Sequence, residues 1–156
     1  MKEVNMVDIT EKDVIYREAT AIGRIRLKEE TIKKILSGEV EKGDVISSSK
    51  LVAIMTVKRT SELLPLCHPI QITSVNADIY PIVDGLEVRV TVKAIAKTGV
   101  EMEALTGVSM ALLNIWDMVK KYEKDEEGQY PSTEIYGIRV ISKIKKGISN
   151  AENSHS

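Results

Sequence analysis

Phenylalanine is absent from this chain of 156 residues, which holds one tryptophan, one cysteine and two histidines. The core must therefore be built from Ile, Val, Leu, Met and Ala, and a 43% hydrophobic content is enough to build one. A sheet that stacks nucleic-acid bases has almost no aromatic material to use; LEVRVTVKAIAK at 86–97 has none. One cysteine cannot close an internal disulfide, so a reducing, cytoplasmic setting is the natural reading. No apolar run approaches the ~20 residues that a membrane helix needs. The opening MKEVNMVDITEKD is acidic and polar, where a secretory leader is basic and then apolar. A formal charge of -1 gives no general attraction to nucleic acid or anionic membrane. With no internal repeat, low-complexity tract or long linker, residues 1–156 read as one domain, with 1–10 and 146–156 as flexible ends.

What is present organises well. REATAIGRIRL at 17–27 mixes β-branched and small residues in partial alternation and predicts a strand. EETIKKILS at 29–37 has Glu in its first turn, Ile32, Ile35 and Leu36 at helical spacing, and Gly38 as a stop. A second helix opens near Gly43-Asp44, with Asp44 as its cap and Lys58 and Arg59 near its end. Segments 71–82 and 86–97 both alternate and are joined by Val83-Asp84-Gly85, where Asp-Gly reads as the hairpin turn. Residues 101–122 form the strongest helix and 133–144 a last strand; the tail GISNAENSHS has only Ile148 to bury and should fray. Strand, two helices, hairpin, helix, strand predicts an α+β domain: a ferredoxin-like antiparallel sheet with helices packed on one face.

Several residues stand out for chemistry. On the long helix, Met102, Leu105, Val108, Ser109, Leu112, Ile115, Trp116 and Val119 form one arc expected to face the core. Glu103, Gly107, Asn114 and Lys121 fall opposite, and Asp117 near the border. Lys120 projects inside the apolar arc. It is either a snorkelling lysine at a helix end or one held at a subunit or substrate interface for proton or phosphate work. Lys42-Gly43-Asp44 is either a capped turn or a close backbone approach to an anion. Lys58, Arg59, Lys97, Glu101 and Glu103 taken singly are end-of-element charges. PLCHPI at 65–70 sets Cys67 and His68 between prolines. A zinc site there lacks further ligands, since His155 is in the tail. A Cys–His nucleophile pair is disfavoured because sequence neighbours rarely point at each other. Cys67 then reads as packing, and His68 as a group held stiffly for positioning or proton transfer.

Together, MVDIT at 6–10, REATAIGRIRL at 17–27, KGDV at 42–45, KRTSELLPLCHPI at 58–70, KTGVEMEALTGVS at 97–109 and IWDMVK at 115–120 resemble the molybdenum-cofactor biosynthesis protein C family, MoaC. The resemblance runs in order from Met6 to Lys145. It implies a cyclic pyranopterin monophosphate synthase, a lyase that takes a cyclised dihydroguanosine triphosphate and releases pyrophosphate. It also implies a ferredoxin-like subunit in a homohexamer, a trimer of dimers, with active sites at subunit interfaces and no redox cofactor. By motif match, Lys42 and Lys120 correspond to essential lysines and Asp117 to the active-site aspartate. Leu66, Cys67, His68, Met102 and Glu103 correspond to substrate-contacting segments, and Arg17, Lys58 and Glu101 are further candidates. Two departures stand out: Ser47–Lys50 is more polar than this family's helix leads one to expect, and the tail after Lys146 matches poorly. A non-enzymatic binding module on the same fold is the main rival, because one fold hosts many functions.

Overall fold

A computed structural model describes residues 2–148; the tail that holds His155, expected to fray, lies outside the described residues. The elements are β1 (Ile15–Arg26), α1 (Glu29–Ser37), α2 (Val45–Lys58), a short α3 (Thr60–Leu63), β2 (Ile72–Ile82), β3 (Gly85–Ala96), α4 (Glu101–Glu123) and β4 (Glu134–Lys146). Local chemistry explains their ends. Gly38 takes φ 74°, a left-handed conformation that closes α1 with its N–H bonded back to Ile35 O. Asp44 caps α2 by accepting from the Ser47 N–H at 2.9 Å, which also holds the Asp44 carboxyl below its ordinary value.

The four strands lie in the order β2-β3-β1-β4, every neighbouring pair antiparallel, which is the ferredoxin-like arrangement. Thr20 of β1 faces Thr91 of β3 on one side and Ser142 of β4 on the other. Alternation gives the sheet a helix-covered face carrying Ala19, Ala21, Ile25, Leu86, Val88, Val90 and Val92, all buried. Gly23 on that face lets α4 approach: a Cβ there would stand 2.7 Å from the side chains of both Leu112 and Val108. On the opposite face Thr20 and Thr91 share a hydrogen bond of 2.8 Å.

Two sequence expectations are corrected. Gly85 is not in the hairpin turn; it opens β3 opposite Ile82, so Val83-Asp84 alone make the loop. Its smallness serves another purpose, because a Cβ would fall 1.7 Å from Ile25 O, where the end of β1 crosses. The second correction concerns α4. Glu103 and Gly107, read as the outer face, are buried, while Met102, read as core, is 44% exposed. The sheet covers one flank of α4 and α2 the next, so the buried stripe runs through Glu103, Ala104, Gly107, Val108, Ala111 and Leu112. Gly107 reads as neutral by hydropathy alone, yet it is where the helices touch: a Cβ would meet Val57 Cγ2 at 2.8 Å and Ala53 O at 3.3 Å.

Candidate functional site

The predicted residues gather in two groups at opposite ends of α4. The first sits at its C-terminal end. Lys42, on the loop before α2, places Nζ 3.1 Å from both the backbone oxygen and Oδ2 of Asp117. Lys120, one turn along the helix, places Nζ 3.1 Å from Asp117 Oδ1. One carboxylate is thus gripped by two ammonium groups, and their hydrogen bonds hold the Asp117 carboxyl below its ordinary range. Lys120 is therefore not enclosed among apolar side chains as its helical position suggested. Its side chain is 44% exposed, and Leu113, beside it on the helix, is exposed too. The same loop is pinned further by an ion pair of Glu41 with Lys121 and by the Glu41 N–H donating to Tyr122 Oη at 2.9 Å.

The second group surrounds the N-terminal end of α4, where a cleft of about 500 Å³ is lined by Leu66, Cys67, His68, Gly99, Glu101 and Met102, with Val7, Ile9 and Lys12 along one wall. Lys97 Nζ donates to Thr10 O at 3.0 Å, fastening this N-terminal segment to the end of β3. Arg17 is buried, and its guanidinium donates to Ala96 O at 3.3 Å and Lys97 O at 3.2 Å, shaping the turn into α4. Burial works against the Glu101 carboxylate. An ion pair with Lys143 of β4, its own backbone amide and nearby Arg17 outweigh that and leave the carboxyl below its ordinary value. Glu103, 2% exposed, behaves in the opposite way. Burial pushes its carboxyl up, and among the described residues Oε1 has no hydrogen-bond partner, while Oε2 accepts from Cys67 Sγ at 3.7 Å. Burial and the neighbouring Glu103 also push the half-buried Cys67 thiol up, so it is a poor thiolate nucleophile.

Lys58 joins neither group; it is exposed at the end of α2 and makes no ion pair among the described residues. Lys143 went unnoticed in the sequence. Its neighbours on β4 carry no special pattern, and only the strand register, which sets Lys143 opposite Ala19 on the helix-covered face, brings it to Glu101. Among the described residues no group of three or more His, Cys, Asp or Glu side chains is arranged to hold a metal ion. At about 1.5 Å of rise per residue, Met102 and Asp117 stand roughly 22 Å apart along the helix axis. Catalytic groups must come within hydrogen-bond reach of the same reacting atoms. Within one copy of the chain these two groups cannot do so.

A family model described as "MoaC family" matches residues 6–147. Among curated proteins, one from Sulfolobus acidocaldarius is 61% identical over 140 residues, covering 90% of this chain and 98% of that protein. One from Sulfurisphaera tokodaii is 59% identical over 145 residues, covering 93% and 96%. One from Pyrococcus horikoshii is 56% identical over 144 residues, covering 92% and 91%. All three bear the name "Probable cyclic pyranopterin monophosphate synthase".

Proposed function

The chain belongs to the MoaC family, and from that premise we infer that it is a cyclic pyranopterin monophosphate synthase. In this reading it takes a cyclised dihydroguanosine triphosphate, rebuilds the ring system as a tricyclic pyranopterin, closes a cyclic phosphate by attack of a sugar hydroxyl on the α-phosphorus, and expels pyrophosphate. The observation that carries it is the Lys42–Asp117–Lys120 cluster. Two lysines flanking an ionised carboxylate combine a proton acceptor with cations that gain strength as negative charge develops on a departing pyrophosphate. His68 and Glu101 at the other end of α4 supply hydrogen bonds and charge for the ring portion of the substrate, with Leu66, Cys67 and Met102 forming its walls and Arg17, Glu103 and Lys143 supporting them from behind.

The separation of the two groups along α4 supports a site completed across a subunit contact, one end of α4 meeting the opposite end of a second copy. Partly exposed apolar side chains at the cleft, Leu66, Met102 and Val7, are surface that such a contact would cover. The assembly in this reading is a homohexamer, a trimer of dimers, working in the cytoplasm.

Two variants test both claims: Lys120→Ala at one end of α4 and His68→Ala at the other. Incubated alone with the cyclised dihydro-GTP, each should release no pyrophosphate. Mixed, dissociated and reassembled, they should recover about a quarter of parental turnover, because half the two-fold contacts pair unlike subunits and one of their two sites is intact. Full activity of Lys120→Ala removes that lysine from the chemistry. Two inactive variants that never complement place all the catalytic groups within one subunit. A parent that binds the nucleotide and releases nothing favours the binding module.

A further inference from the structure

Lys42 approaches Asp117 from the loop before α2, while Asp117 and Lys120 ride on α4. The triad therefore depends on the axial register of α2 against α4, beside the Glu41 contacts that tie the loop to Lys121 and Tyr122. The three side chains are about half exposed, at 48%, 56% and 44%. Exposed ion pairs of this kind are too weakly held to fix how two helices slide against each other.

Something stronger lies within one turn of them. Asn114, three residues before Asp117 on α4, donates from Nδ2 to Ser49 Oγ at 3.0 Å and to Ser48 Oγ at 3.2 Å, both on α2. Ser48 Oγ in turn donates to Met118 Sδ at 2.8 Å, and Asn114 Nδ2 stands 3.5 Å from the same sulfur. Ser49 is fully buried, while Ser48 and Asn114 are half-buried, and the group sits on the seam between α2 and α4 beside the buried Met118. Apolar contacts tolerate a sliding seam, whereas directional hydrogen bonds do not: a shift of one helix along the other leaves the buried Ser49 hydroxyl without its partner. A buried Asn that fixes helix register is a well-attested use of such a group. The polar run Ser47–Lys50 gains a reason here: Ser47 bonds the capping Asp44, and Ser48 and Ser49 receive Asn114.

We propose that Asn114, with Ser48 and Ser49, is a positioning latch that sets Lys42 against Asp117. The proposal rests on the reading above, in which that pair belongs to the reaction site. Asn114 positions the pair through the helices and does not act on substrate itself. The charged groups facing Asp117 are Lys42 from the loop before α2 and Lys120 from its own helix, while Glu41 on that loop is occupied by Lys121.

The test compares Asn114→Ala, Ser49→Ala and Lys42→Ala with the parent, by steady-state pyrophosphate release and by ¹³C NMR titration of the Asp117 carboxyl. Asn114→Ala should lower kcat about tenfold with KM within about twofold of the parent, the signature of misplaced groups rather than lost binding. Its Asp117 should titrate higher, toward the ordinary carboxylate range, because the Lys42 contact is loosened. Joining Ser49→Ala to Asn114→Ala should add nothing further, as expected of one network. Parental kcat and an unmoved Asp117 titration in Asn114→Ala overturn the latch, and so does a kcat loss with an unmoved titration. If Asn114→Ala does not fold, Ser49→Ala carries the same two readouts. Full turnover by Lys42→Ala instead overturns the catalytic reading, and the Asp117 titration still decides the latch because it needs no turnover.

Discussion

Two glutamates on α4 are almost wholly removed from water, and they are treated in opposite ways. Glu123, with no exposure, accepts from the Lys28 N–H at 3.1 Å, from Thr133 Oγ1 at 2.7 Å and from Thr31 Oγ1. It lies at the negative end of its own helix but against the start of α1, where Lys28 offers no side-chain cap, so it serves as that helix's anion. Glu103, at the other end of α4, has among the described residues one oxygen with no partner and the other met only by a weak thiol donor. A buried carboxylate with complete donors ties elements together. One left incomplete costs stability, and in this chain it borders the candidate cleft. The difference separates a structural acid from a functional candidate without reference to any motif.

Breaking the complete site should have the largest effect. Glu123→Ala strands two threonine hydroxyls and a backbone N–H in the interior, and we expect a loss of about 3–4 kcal/mol in urea unfolding. Thr133→Val removes one donor and keeps the shape, so a loss of about 1–2 kcal/mol should follow in the same measurement. Glu103→Gln should stay within about 1 kcal/mol of the parent at neutral pH, because the neutral amide avoids the burial of a charge. The sign of its pH dependence sharpens the contrast. A carboxyl raised on folding contributes stability that is fully present below its unfolded value and is lost as pH rises through the folded one. The difference in urea midpoint between parent and Glu103→Gln should therefore favour the variant increasingly as pH rises, and equal slopes would show that Glu103 is not raised. The smallest effect belongs to Cys67→Ser. A hydroxyl there bonds the Glu103 carboxylate better than the thiol does, which should lower the Glu103 titration with a stability change within about 0.5 kcal/mol.

Alternation, caps and turn residues made the elements legible: Asp44 and Gly38 mark helix ends, and the two hairpin strands read directly. The face of α4 was misread because hydropathy counts Gly107 as neutral and Glu103 as charged, whereas contact with α2 rewards a small residue and leaves an acid buried. Gly85 was misread for a related reason, since close approach of Ile25 O is a tertiary fact absent from any local pattern. The candidate site residues were picked out by their motifs, but their division between two helix ends was not, because linear order does not show what the two ends of a 23-residue helix face. Lys143 and Asn114 needed strand register and helix pairing to be noticed.

The place of β1 in the sheet bears on how the chain comes to be folded. It is made before the other three strands, yet it sits inside the sheet, and both its neighbours arrive later, β3 from Gly85 and β4 from Glu134. At about 5–20 residues per second the interval from Arg26 to Gly85 alone is roughly 3–12 s. During that time Ala19, Ala21, Ile22 and Ile25 have no strand to pair with. Closing the sheet joins Thr20 to Ser142 across most of the chain, and pairings of such long sequence separation are slow to form. The nascent chain thus carries β1 unpaired until β3 has been made, and leaves its other edge open until β4 follows.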